Sequence, residues 1–212
     1  MTVAILAAGD FPRKAYPQYL LQSADALVCC DSALEQALRH GLRADAVVGD
    51  MDSIKASVRK SFGGEVVQED EQDFNDLTKA MRYVLSRWPD ADCINIFGAT
   101  GKHEAHTIGN LSLLMEYESW WHFWQRDVRV QIVSDYCTAF AIGESCSLDV
   151  GEGRKISFFS CDSSLRIATS GLQWPLDDVE FGNWWKATLN RSTADRIILQ
   201  MNHPAPVLII LE

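Results

Sequence analysis

Two acidic clusters hold most of the side chains able to do chemistry in this 212-residue chain. The first is Gly49-Asp50-Met51-Asp52-Ser53, directly after an apolar run that reads as a strand. In an extended segment, residues i and i+2 point to the same side about 6.5 Å apart. Two carboxylates there repel by about 2–3 kcal/mol at an effective dielectric of about 20. A cation relieves that repulsion, and Mg²⁺ suits it, because it binds one or two carboxylates and completes its shell with substrate phosphates. A solvated acidic turn fits the same spacing, so both readings stand.

The second cluster, Glu69-Asp70-Glu71-Gln72-Asp73-Phe74-Asn75-Asp76-Leu77-Thr78-Lys79, packs five acids into eight residues at a predicted helix start. An acid in a first helical turn gains about 0.3–1 kcal/mol from the helix dipole, which accounts for Asp76 or Asp73 but not for the whole run. Lys79 lies one turn from Asp76, placed either to neutralise it or to reach a phosphate. A third segment, Phe97-Gly98-Ala99-Thr100-Gly101-Lys102, is a glycine-bearing turn between a strand and a helix, where backbone N–H groups approach an anion. It is not a Walker A loop: its glycines are too close, and His103 follows the lysine. His106 and Asn110 fall one turn apart on one helix face.

The elements that position these residues follow from hydrophobic patterning. Strand-like runs at Val3–Ala8, Ala26–Cys30, Asp45–Val48, Glu65–Gln68 and Cys93–Phe97 alternate with helical stretches at Ser32–His40, Asp76–Arg87 and Glu104–Trp124, the pattern of an α/β sheet. In Asp76–Arg87 the apolar residues recur at i, i+3, i+4, i+7 and i+8, with Asn75 as N-cap. After Arg126 short β-rich runs follow, at Val128–Val133, Thr138–Ile142, Lys155–Phe159, Arg166–Thr169, Arg196–Met201 and Val207–Leu211, which read as a small antiparallel sandwich. The expected fold class is therefore α/β plus all-β: a mostly parallel α/β domain over 1–126 and an antiparallel β-sandwich over 127–212. Trp120, Trp121, Trp124, Trp184 and Trp185 are expected to be packing residues.

Composition narrows the function classes. Apolar residues make up 47% and charged residues 23%, which is globular rather than disordered. Nineteen Lys plus Arg against 29 Asp plus Glu leave a formal charge of −10, which argues against a nucleic-acid partner but leaves a nucleotide open. Six cysteines without a C-x-x-C pair, no membrane-length apolar run and no basic leader point to the cytoplasm, with neither secretion nor a membrane partner.

Four segments in this order resemble the thiamine pyrophosphokinase family. Cys30-Asp31-Ser32-Ala33 with Val48-Gly49-Asp50-Met51-Asp52-Ser53-Ile54 resembles its C-D-G-A … G-D-x-D-S-I. Glu71-Gln72-Asp73-Phe74-Asn75-Asp76-Leu77-Thr78-Lys79-Ala80 resembles D-Q-D-x-T-D-x-x-K-A. Gly98-Ala99-Thr100-Gly101 with His106-Thr107-Ile108-Gly109-Asn110-Leu111 resembles G-A-T-G … D-H-T-x-x-N-L. Ser170-Gly171-Leu172-Gln173-Trp174-Pro175-Leu176 resembles G-L-K-W/Y-P-L. The resemblance implies a nucleotide-binding α/β domain followed by a β-sandwich, usually in a homodimer, and Mg²⁺-dependent transfer of a pyrophosphoryl group from ATP to thiamine with release of AMP.

On that reading Asp50, Asp52 and Asp76 hold the Mg²⁺, and Asp76 or Asp73 orients the attacking hydroxyl. Asp31, Ser53, Lys79, Gly98, Thr100, Gly101, Lys102, His106 and Asn110 bind ATP, while Gln72, Trp174 and Ser192 bind thiamine. The chain departs from the family pattern at Ser32, Glu71 and Asn75, and more sharply at His103 and Ala105, where family members commonly carry Arg and Asp. Those departures motivate an alternative, a non-catalytic or impaired nucleotide- or thiamine-binding homologue. A haloacid-dehalogenase-type phosphatase is the other rival, because Asp50-Met51-Asp52 resembles its D-x-D motif, although Ile54 stands where Thr or Val belongs.

Overall fold

The computed structural model describes residues 1–212 and divides them into two compact units. The first comprises Met1–Asn110 and Val128–Asp135, the second Leu111–Asp127 and Tyr136–Glu212.

In the first unit, strands β1 (Thr2–Leu6), β2 (Ala26–Cys30), β3 (Ala46–Gly49), β4 (Glu65–Gln68), β5 (Cys93–Phe97) and β6 (Arg129–Val133) form a parallel sheet ordered β6-β5-β1-β2-β3-β4. Alternation along each strand feeds both faces. On one face, Ala4, Leu6, Leu27, Cys29 and Val47 pack with Leu21 of α1 (Ala15–Gln22) and with Ala33, Leu34 and Ala37 of α2 (Ala33–Arg39). The alternate residues Val3, Ile5, Val28, Ala46 and Val48 are fully buried. On β1–β3 also packs α4 (Asp76–Arg87), through Leu77, Ala80, Met81 and Val84. A short α3 (Ala56–Ser61) buries no residue. Strand order reverses between β1 and β5, and in such doubly wound sheets ligands sit at the carboxyl ends of the strands flanking that reversal.

The sequence-derived elements are displaced in a few places. Arg129–Val133 pairs in parallel with β5, register Cys93↔Arg129 to Ile96↔Ile132, so it completes the α/β sheet instead of opening the sandwich. The two units interleave, with Val128–Asp135 belonging to the first. Helix α5 (Glu104–Trp121) begins in the first unit and ends in the second. It stops at Trp121 rather than Trp124 because His122 is left-handed (φ 49) and the buried Glu118 carboxylate accepts the Trp124 N–H at 3.0 Å.

In the second unit, β7 (Thr138–Ile142), β9 (Lys155–Phe159), β11 (Asn190–Arg191) and β13 (Val207–Leu211) form one antiparallel sheet ordered β11-β9-β13-β7. The other is ordered β10-β12-β8, from β8 (Cys146–Asp149), β10 (Ile167–Ser170) and β12 (Arg196–Met201). Ile142, Ile156, Phe158, Val207 and Ile209 of the first sheet share one core with Leu148, Ile167, Ile197 and Leu199 of the second, a β-sandwich. The α/β-plus-sandwich class stands. Of the tryptophans expected to pack, Trp121 lies against Tyr117 and Phe123, whereas Trp185 is 69% exposed.

Candidate functional site

The segments leaving β1 and β5 interlock at the carboxyl edge of the parallel sheet. The Gly9 N–H donates to Gly98 O at 2.6 Å and the Asp10 N–H to Thr100 O at 2.9 Å. A Cβ on Gly9 would overlap both carbonyls, so only glycine lets the loops meet. Gly98, Gly101 and Lys102 take positive φ (62°, 80° and 61°). The turn is tied to α5 by Thr107, whose Oγ1 accepts the Gly101 N–H at 3.1 Å, and by Asn110, whose Nδ2 donates to Ala99 O at 2.8 Å. Lys102 Nζ donates to Ala8 O. Above this floor opens a cavity of about 530 Å³.

The carboxylates gather beside it. Asp31 follows β2 with φ 35 and is 6% exposed, and its Oδ1 is buried without any donor. Gly49 makes the meeting possible: a Cβ there would lie 3.0 Å from Asp31 Cβ and 3.4 Å from Asp76 Oδ1. Burial pushes the Asp31 pKa up; the Ser53 hydrogen bonds oppose that, and the Asp50 charge adds to it. Burial also raises Asp76, against the pull of Lys79 and with the charges of Asp31 and Asp50. Asp31, Asp50 and Asp76 therefore share one electrostatic field.

Asp52 does not join them as the sequence reading assumed. Met51 is left-handed (φ 67) and buried, so the segment is not extended. Instead the Asp52 N–H folds back onto Asp50 Oδ1 at 3.1 Å, and the Asp52 side chain stays exposed. Asp73 is likewise exposed. Lys79 is 2% exposed, 3.8 Å from Asp76 Oδ1 with Nζ donating to Glu69 O at 3.0 Å. It is a buried counter-ion to Asp76 and does not line the cavity.

Asp31, Ser53, Gly98, Gly101, Lys102, His106 and Asn110 line the cavity together with Asp76. Thr100 enters through its carbonyl bond to Asp10 rather than as a lining residue. Asn75, read from sequence only as a cap, has both roles: its Oδ1 accepts the Thr78 N–H at 2.9 Å and it lines the cavity. His103, which no motif match had placed in the site, also lines it. Gln72 is exposed, with Nε2 donating to Asp70 O. In the sandwich unit Trp174 is 55% exposed, its ring free to stack. Ser192 is buried; its Oγ accepts the Arg154 N–H at 2.8 Å and donates to Gly151 O, so it holds a turn and offers no free hydroxyl.

The donor set suits a hard divalent cation. No group of three His, Cys, Asp or Glu side chains is placed to hold a metal ion by itself. Mg²⁺ needs only one or two carboxylates beside phosphate oxygens, and the orphaned Asp31 Oδ1 is an acceptor of that kind.

Comparison with known proteins adds an independent line. The family model described as thiamin pyrophosphokinase, catalytic domain, matches residues 17–125, and that described as thiamin pyrophosphokinase, substrate-binding domain, matches residues 138–207. A rice (Oryza sativa subsp. japonica) protein named thiamine pyrophosphokinase 1 is 28% identical over 155 residues, 66% of this chain and 56% of that one. The chain thus spans about half the length of the curated plant relatives it matches. Among solved structures, the thiamine pyrophosphokinase from Bacillus subtilis superposes with a TM-score of 0.78 at 20% identity, covering 100% of this chain and 99% of its own. The thiamin pyrophosphokinase from Candida albicans gives 0.78 at 13% identity over 99% and 88%.

Proposed function

The chain belongs to the thiamin pyrophosphokinase family, and on that premise we propose that it transfers a pyrophosphoryl group from ATP to the hydroxyl of thiamine, yielding thiamine diphosphate and AMP, with Mg²⁺ as cofactor. One observation carries the proposal: Asp31, Asp50 and Asp76, far apart in sequence, share one field beside a glycine-floored cavity, and one of their buried oxygens lacks a donor.

In this reading the Gly98–Lys102 turn and the start of α5 receive the polyphosphate through backbone N–H groups, with Ser53 and Asn110 fixing the surrounding loops. One or two of Asp31, Asp50 and Asp76 would hold Mg²⁺ beside the phosphate oxygens, with Asp52 at the outer rim. When bound, Mg²⁺ supplies charge neutralisation of the phosphate oxygens. Asp76 Oδ orients the thiamine hydroxyl and accepts its proton as the oxygen attacks the β-phosphorus; Asp73 is the other candidate for that base. A weak base suffices, because phosphoryl-type transfer depends mainly on positioning and charge. Lys79 keeps Asp76 ionised by sitting 3.8 Å from it. Trp174 offers an indole face to the partly cationic pyrimidine of thiamine, and Gln72 a further polar contact. The proposal extends to a homodimer in the cytoplasm; no helix is long and apolar enough to cross a membrane.

The deciding assay measures AMP release from ATP with and without thiamine, with Mg²⁺ present or chelated. The expected result is AMP only when thiamine and Mg²⁺ are both supplied. Calorimetric binding of either substrate without AMP would instead favour the non-catalytic homologue.

A further inference from the structure

We propose that His103 and His106 form a proton-dependent grip on the polyphosphate, so that nucleotide binding takes up protons near neutral pH. This rests on the reading of the cavity as a nucleotide site. Both imidazoles line that cavity, with ring centroids 5.7 Å apart at an interplanar angle of 69°. They sit on a constrained turn: the His103 N–H donates to Gly101 O at 2.7 Å, and His103 O receives both the Thr107 N–H and its hydroxyl.

Carboxylates outnumber fixed cations along the same cavity. From the β2 loop and the start of α4 come two carboxylates, Asp31 and Asp76. From the β1 loop comes Asp10, whose carboxylate abuts Gly101, and on the first turn of α5 stands Glu104. Against these, the one permanently charged cation lining the cavity is Lys102, and its Nζ is already engaged by Ala8 O. Lys79 is buried against Asp76. Beyond what Mg²⁺ neutralises, a polyanion entering this cavity meets little fixed positive charge from the protein's side chains. The two imidazoles are the groups able to gain it, since histidine is the side chain that changes charge between about pH 5 and 8. A phosphate between the rings also relieves the repulsion that two imidazoliums would otherwise feel.

The test is calorimetric titration of ATP with Mg²⁺ into the intact protein, in buffers of different ionisation enthalpy. The wild type is expected to take up about one proton more than the His103→Gln/His106→Gln variant, and to bind about fivefold more tightly at pH about 6 than at about 7.5. The double variant should show affinity nearly flat over that range. His103→Lys, which fixes a charge at the same place, should hold the acid-range affinity at pH about 7.5 and lower the proton uptake. Equal proton uptake in wild type and double variant, or a His103→Lys variant no tighter than wild type at the higher pH, overturns the grip while leaving the nucleotide site intact. Failure of the wild type to bind ATP at all overturns the nucleotide reading, and the grip with it.

Discussion

Asp31 illustrates how a functional carboxylate strains a fold. Burial raises the folded-state pKa of Asp31, so keeping it ionised costs the folded protein stability. The stability that goes with the protonated form is fully present below the unfolded value of about 3.9 and is lost as pH rises through the raised folded value. Asp31→Asn, whose amide tolerates the positive φ, is therefore expected to melt higher than wild type at pH 7 and to lose that advantage in acid. Added Mg²⁺ should raise the wild-type Tm and leave the variant unchanged, which differential scanning fluorimetry reads directly. Asp50→Asn keeps the Oδ1 acceptor for the Asp52 N–H and should fold normally, yet lose about 10²-fold or more in thiamine-dependent AMP release. The sequence displayed these acids but not their directions. Met51 at φ 67 turns Asp52 outward, and nothing in the letters Gly-Asp-Met-Asp announces a left-handed methionine.

Among the elements, legibility followed hydrophobic pattern. Helix α4 could be read to its residue bounds because its apolar positions repeat every turn and Asn75 caps it. Helix α3 buries nothing and α1 buries only Pro17 and Leu21, so neither leaves a periodic trace. Strand β8 escaped notice because only Leu148 of its four residues is buried. Strand β6 was visible as a strand but not as a parallel one, since an apolar run carries no record of its partner's direction. The interlocking of the β1 and β5 loops yields a prediction at this scale. Gly9→Ala forces the loops apart, and is expected to cost about 1–3 kcal/mol in urea unfolding and to weaken ATP binding together with it.

For the molecule as a whole, the six cysteines are all free, as the lack of a paired motif implied. Burial pushes Cys29 up to about 12 and Cys146 up to about 11, and raises Cys30 as well, whereas Cys161 is exposed. A thiol reagent should therefore label Cys161 first and reach Cys29 and Cys30 only on unfolding, which mass spectrometry of a time course checks. The two-unit outline was legible from the change of texture near residue 126; the return of the chain to the first unit was not, because it depends on the single pairing of β5 with β6.

That pairing bears on any attempt to take the molecule apart. A fragment ending at residue 126 would lack Arg129–Val133, leaving Cys93–Phe97 as an open flank whose amides and carbonyls invite a neighbouring copy to add a strand. Such a fragment should aggregate, as light scattering would register. Because Val128–Asp135 returns to the first unit, a cut at any single point leaves one unit carrying a piece of the other.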